Sequence, residues 1–232
     1  MIKKLKKLIM VFLIVLIGFL SFIVYRGYQD YRVYEDAVPI SSLVEKVKLK
    51  ENYVPYEELP EHLLNATVSA EDKRFYQHSG IDFLSLGRAI ASQFISSLAT
   101  SGGSTITQQL AKNLYGQYSS NVRWKLMEFF FANKLESLFT KEEILTIYVN
   151  IINYGANNSG IFEASVDYYG VYPIQLGLGE CSLLAGIPQS PSNYELYNHY
   201  EAAKKRQQYV LDNMVKAGYI SQEEADQAYI SS

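Results

Sequence analysis

The chain holds a single cysteine, Cys181, among 232 residues, so no intrachain disulfide can form. It lies in the apolar run Cys181-Ser182-Leu183-Leu184-Ala185, where a lone thiol serves as a small core residue. There are three histidines, and no Cys/His cluster has metal-ligand spacing. Internal repeats, low-complexity linkers and successive alternating strands are all missing. Beyond the first seven residues the chain also lacks a basic excess. Setting aside Lys3, Lys4, Lys6 and Lys7 takes the formal net charge from −3 to −7. An acidic remainder disfavours a general nucleic-acid binder.

What is present begins with those four lysines. Behind them Leu8 to Tyr25 runs 18 residues without a charge, long enough to span a bilayer as a slightly short helix. A secretory signal peptide has a shorter apolar region, about 7–15 residues, and ends at a small-x-small cleavage site. No such site occurs between Ser21 and Gln29. The segment therefore reads as an uncleaved anchor. Lysines stay on the cytoplasmic side, which puts everything after Tyr25 outside the cytoplasm. Tyrosine is abundant, at 20 residues, with 11 Phe. Rings with one wet end suit core edges and membrane interfaces.

These features divide the chain into a basic tail (1–7), a transmembrane anchor (8–25), a juxtamembrane stalk (26–59) and one outer domain (60–232) large enough to bury a core. In the stalk, Val44, Val47 and Leu49 read as a short strand. From Pro60 the pattern is helical. Leu63, Leu64, Thr67 and Val68 share a helix face. Thr140-Lys141-Glu142-Glu143 and Ser221-Gln222-Glu223-Glu224 are capping boxes, and Gly218 suits a helix C-terminus. Phe83 to Leu98 aligns Leu86, Ile90, Phe94, Ile95 and Leu98 with almost no charge except Arg88, which fits either a core helix or one dipping into a bilayer surface. The outer domain is mainly α.

Two segments carry chemistry. Glu71-Asp72-Lys73-Arg74-Phe75-Tyr76-Gln77-His78-Ser79-Gly80-Ile81-Asp82 offers a carboxylate that can accept a proton as a hydroxyl attacks. Apolar rings such as Phe75 nearby would raise its pKa. Taken locally, Glu71-Asp72 also reads as a surface acid pair at a helix end. Gly102-Gly103-Ser104-Thr105-Ile106-Thr107-Gln108-Gln109-Leu110-Ala111-Lys112-Asn113 supplies hydroxyls, amides and a lysine. If Thr105 begins a helix, Gln108 and Lys112 share a face, and the amides at the helix start favour an anion. A capped helix with a polar outer face is the plainer alternative.

Together, in this order, the two segments resemble the first motifs of the peptidoglycan glycosyltransferases (glycosyltransferase family 51), which polymerise lipid II. The resemblance extends from about Pro60 to Ala228. It takes in Lys141-x-x-Ile144-Leu145-Thr146-x-Tyr148-Val149-Asn150 with Gly155, where Thr146 replaces the family's Glu. It also takes in Gly160 to Ser165, Tyr168-Tyr169-Gly170, Glu180 and Leu184 to Pro191. The third motif departs from Arg-Lys-x-x-Glu: Lys125 and Glu128 align, Trp124 stands at the Arg position, Arg123 is one residue early, and Ser120 holds a place where the family often has another Arg. A one-residue step on a helix turns a side chain by about 100°.

The resemblance implies a lysozyme-like α fold and an inverting β-1,4 transfer. Glu71 would be the base, with Glu128 the second essential acid. Asp72, Phe75, His78, Ser104, Thr105, Gln108, Gln109, Lys112, Asn113, Arg123 and Lys125 would line or shape the substrate site. No cofactor is implied beyond a divalent cation (Mg or Mn) with the diphosphate, and no protein metal site. The partners that the resemblance implies are lipid II, the growing glycan chain, the membrane, and cell-wall synthesis or division proteins, and the place it implies is the outer face of a bacterial plasma membrane. The chain contains no Ser-x-x-Lys and no Lys-Thr-Gly, so a monofunctional enzyme is expected. Trp124, Ser120 and Thr146 also leave open a weak or inactive homologue that binds lipid II or a cell-wall partner. A glycan-cleaving enzyme of similar fold would not need the Ser104–Asn113 cradle.

Overall fold

The computed structural model describes residues 2–92, 103–117 and 122–232. Helix α1 (Ile2–Ala37) runs unbroken from the basic tail through the apolar stretch and onward. Among the described residues it is the one helix long and apolar enough to cross a membrane, and none of that apolar window is buried. Beyond it the chain folds into short helices: α2 (Ile40–Lys48), α3 (Glu61–Glu71), α4 (Phe83–Ser92), α5 (Ile106–Leu114), α6 (Val122–Leu138), α7 (Lys141–Val149), α8 (Ile161–Tyr169), α9 (Leu178–Gly186), α10 (Pro191–Tyr194), α11 (Tyr200–Ala217) and α12 (Gln222–Ser231). Among the described residues the one β feature is an isolated antiparallel bridge, Asn153 with Ser159. The protein is mainly α with one N-terminal apolar helix.

The strand expected at Val44, Val47 and Leu49 is instead helix α2. The buried set is Ile40, Val44 and Val47, spaced four and three apart, while Leu49 lies past the helix end and is 82 % exposed. That spacing is helical, and only the last member of the trio mimicked alternation. These side chains join the same core as Leu63, Phe75, Leu110, Phe131, Leu135, Ile144 and Tyr148. Residues 40–59 thus pack with the globular part and do not stand apart from it as a stalk. Full burial of each such aliphatic or aromatic side chain contributes about 1.5–3 kcal/mol.

Asn150, at the end of α7, fastens this segment. Its side chain accepts from Val54 N at 2.8 Å and donates to Val54 O at 2.9 Å. Gly160 crosses behind it with φ +99°, where an added Cβ would lie 2.3 Å from the Asn150 carbonyl oxygen, so only glycine fits. A second, smaller core joins α3, α9, α11 and α12 through Ala66, Ala185, Val210, Leu211 and Met214.

Local capping follows the sequence. Thr140 with Glu143 and Ser221 with Glu224 form reciprocal capping boxes, and Gly218 ends α11 in the left-handed region. Cys181 is a buried free thiol whose pKa burial pushes up, as expected of a core residue. In α4, Phe83 and Leu84 are 72 % and 65 % exposed, apolar side chains facing outward. Phe94, Ile95, Leu98, Gly102 and Ser120 lie outside the described residues.

Candidate active site

Glu71 is the last residue of α3. Asp72 leaves the helix at φ −154°, which turns the chain. The Glu71 side chain is 9 % exposed. Its Oε2 accepts a 2.8 Å hydrogen bond from Gln109 Nε2, and Gln109 Oε1 accepts one of 2.9 Å from the Tyr148 hydroxyl. Oε1 is buried without a hydrogen-bond partner, with Arg206 Nη2 3.8 Å away. Burial raises the Glu71 pKa, and the Gln109 hydrogen bond and the Arg206 charge offset this only in part. The rings that border the acid are Tyr148 and Tyr154. Phe75, expected to line the site, is fully buried in the core instead, with Lys141 Nζ 4.3 Å from its ring centre.

Asp72 ties the two motifs together. It accepts from His78 Nε2 at 3.0 Å and from the Ile106 backbone amide at 3.1 Å. Ile106 opens α5, so the helix's positive end is neutralised by Asp72. Thr105 is the N-cap. Its hydroxyl donates to Gly80 O at 2.7 Å and accepts from Gln108 N, while Gln108 Oε1 accepts from Thr105 N at 3.0 Å. The expected anion cradle of free amides and hydroxyls is therefore largely consumed by the protein itself. Thr105 and Gln108 are buried structural groups. Gln109, the neighbouring residue, is the one that reaches Glu71.

Cations gather from two other positions. Lys125 donates to Ser104 Oγ at 2.8 Å and to Glu128 at 2.5 Å, which joins the loop before α5 to the first turns of α6. Glu128 is buried. The Lys112 side chain, one turn along α5 from Gln108, makes no hydrogen bond or ion pair among the described residues, and the residue is half-buried. Asn113 is spent on Gln109 O at 2.8 Å.

The departures in the third motif have a structural reason. Arg123 turns to α1 and forms a two-pronged hydrogen-bonded ion pair with Asp30. It does not join Ser104, Lys125 and Glu128. Trp124 is 3 % exposed and stacks on Phe131, with Tyr34 of α1 and Tyr115 at its edges. Thr146 bonds back to Glu142 O at 2.7 Å within its own helix.

Arg206 was invisible in the sequence. In the run Lys204-Lys205-Arg206 it looks like part of a solvated face, and only the packing of α11 on α3 and α9 turns it inward. Tyr154 offered no local signal either. Tyr148 belonged to the motif from Lys141 to Asn150, but nothing in that motif gave its hydroxyl the task of aiming Gln109.

Glu71 is thus a buried acid whose pKa burial raises, held by Gln109, while Lys125 and Glu128 pair in the first turns of α6. The chain matches the transglycosylase family model over residues 37–215 and belongs to that family, a family of glycosyltransferases. The match begins ahead of Pro60 and takes in α2. Penicillin-binding protein 1A of Aquifex aeolicus is 38% identical over 179 residues, 77% of this chain and 25% of that protein. Penicillin-binding protein 1A of Neisseria lactamica is 40% identical over 171 residues, 74% of this chain and 21% of that protein. This chain thus spans about a quarter or less of the length of those two relatives. The Cupriavidus necator protein named "Putative transglycosylase" is 38% identical over 179 residues and is covered over 77% of its length. A crystal structure of penicillin-binding protein 1A from Haemophilus influenzae aligns with a TM-score of 0.43 and 19% identity, covering 78% of this chain and 17% of that one.

Proposed function

We propose that this protein is a membrane-anchored peptidoglycan glycosyltransferase that extends a glycan chain from lipid II. The acceptor's 4-hydroxyl attacks the donor's anomeric carbon. The O–H proton passes to Glu71, the β-1,4 bond forms with inversion, and the bond to undecaprenyl diphosphate breaks. Lys125 and Lys112 balance charge on the departing diphosphate. Glu128 holds Lys125 in place. A divalent cation with the diphosphate remains part of the proposal; among the described residues no group of three or more His, Cys, Asp or Glu side chains is placed to hold a metal ion.

The observation that carries the reading is the buried Glu71 carboxylate held by Gln109 within a transglycosylase-family domain. The anchor reading draws support from α1. With α1 in the bilayer and the lysines inside, the domain lies on the outer face, where both lipid-linked substrates share its plane and meet it at raised effective concentration. The exposed Phe83 and Leu84 suit contact with that surface.

Polymerisation of labelled lipid II by detergent-purified protein tests this. Glycan strands from wild type and none from Glu71→Gln are the expected result. Lipid II bound without product by either protein would favour a binding-only homologue, a reading motivated by Trp124, Ser120 and Thr146, and by the turn of Arg123 toward Asp30. Fragments released from finished peptidoglycan would point to a cleaving enzyme.

A further inference from the structure

We infer that Arg206 is the positioning residue for Glu71: the fixed counter-charge that lets a carboxyl buried at the end of α3 lose its proton and that holds Oε1 in place. The inference rests on the proposal that Glu71 is the base, and it deepens that proposal by naming what makes the base usable.

The geometry has three parts. First, the two groups face each other with unmet valence. Glu71 Oε1 and Arg206 Nε are both buried without a hydrogen-bond partner, and Nη2 stands 3.8 Å from Oε1, just beyond hydrogen-bond reach. A small closing movement would complete the contact once the acid is charged. Second, Arg206 has little freedom to go elsewhere. Its guanidinium carbon lies 4.5 Å from the Tyr209 ring centre. On the other side Gly186 leaves just enough room, because an added Cβ would come within 2.9 Å of Arg206 Cγ. Third, no other cation does this work among the described residues. Lys73 is drawn away to Asn213 at 2.7 Å and toward the Tyr209 ring. The remaining groups around Glu71 are Asp72, which disfavours a second negative charge, the hydroxyls of Tyr148 and Tyr154, and the Gln109 amide.

An isolated carboxylate in such a place would stay protonated and could not act as a base. A charge held 3.8 Å away favours the ionised form without forming the tight, short pair that would leave it too weak a base. When the carboxyl takes the acceptor's proton, Arg206 is left facing a neutral acid, and loss of that proton to solvent restores the pair for the next cycle.

The test measures the protonation of Glu71 separately from turnover. In full-length protein carrying 13C-labelled glutamate carboxyls, the resonance that disappears in Glu71→Gln reports Glu71. Its titration midpoint and the acidic limb of the polymerisation pH profile are measured in wild type, Arg206→Met, Arg206→Lys and Gly186→Ala, with circular dichroism checking the fold. The expected result is that both move to higher pH in Arg206→Met and Gly186→Ala, and that Arg206→Lys largely keeps them in place. Below the limb, activity falls tenfold for each pH unit moved. An unmoved midpoint in the folded Arg206→Met or Gly186→Ala protein overturns the inference, even if activity drops, because a merely structural role lowers kcat without moving a titration. A midpoint that moves in protein whose Glu71→Gln variant still polymerises keeps the coupling and removes Glu71 as the base.

Discussion

Gln109 reaches back from α5 to give Glu71 a 2.8 Å hydrogen bond, and the direction of that amide is set from a third helix by Tyr148. The acid is thus held by a chain of groups from α7, α5 and α3. Replacing Gln109 by Leu leaves Oε2 without its donor. A hydrogen bond to a charged group is worth about 1.5–3 kcal/mol, so polymerisation should fall about ten- to a hundredfold. Tyr148→Phe removes only the aiming hydroxyl, and a severalfold loss is expected. Steady-state assays with lipid II would show whether the two variants rank in that order.

Glu71 should cost the protein stability at neutral pH. Its pKa is raised in the folded state, so the folded protein holds this proton more tightly than the unfolded chain. Such a group's stabilising contribution is complete below the unfolded-state pKa and is lost as pH rises through the folded-state value. Glu71→Gln should therefore melt at a higher temperature than wild type at pH 7, with the gap closing on acidification to about pH 4. Thermal melts across that range decide it. A constant gap, or none, would show that the carboxyl is not strained by burial.

Trp124→Arg looks from the sequence like a repair of the third motif. The structure predicts damage. Trp124 fills an aromatic cluster with Tyr34, Tyr115 and Phe131. Loss of a buried tryptophan costs about 3–5 kcal/mol, and placing a guanidinium among these rings adds a desolvation cost. The variant should lose stability and gain no polymerisation. Higher activity at an unchanged melting temperature would contradict this.

Asp82 should weaken the fold in acid. Burial opposes its ionisation, but hydrogen bonds from Arg74 and Ser85 more than offset this and hold its pKa below the usual carboxylate range. A lowered carboxyl pKa contributes stability above the unfolded-state value, lost as pH falls through the folded-state one. Asp82→Asn breaks the pair with Arg74 while keeping an oxygen that can cap α4, so about 3 kcal/mol should be lost at neutral pH and progressively less below pH 4. Chemical denaturation at both ends of that range measures it.

Asn150→Ala should cost about 2–4 kcal/mol, because it strips partners from both the N–H and the C=O of Val54. Denaturant titration of the purified domain in detergent would register the change as a lower midpoint.

Features governed by neighbours in sequence could be read in advance. Thr140, Ser221 and Gly218 end helices through chemistry confined to four or five residues, and they appear as read. The family motifs put Glu71 and Gln109 on the page together. The remainder depended on partners far along the chain. Whether Thr105 and Gln108 would face a ligand or each other turned on Gly80 and Asp72, which occupy the helix start first. Arg123 looked like a displaced site residue, and Trp124 like a misplaced one, because Asp30 and Tyr34, which they meet, belong to α1, far along the chain. No local pattern could pair Arg206 with Glu71.

Because α1 has no joint between its apolar stretch and the Asp30–Arg123 pair, it acts as an axle and not as a tether. One residue added between Tyr25 and Gly27 would lengthen it by only about 1.5 Å but rotate whatever is fixed to it by about 100°. Set in a bilayer, the domain would then face a different compass bearing at nearly the same height. Four added residues would bring the bearing back to within about 40° and raise the domain by about 6 Å. Chain length in this short segment would thus act in steps, as gear teeth do, and set the heading in which a glycan strand is laid down.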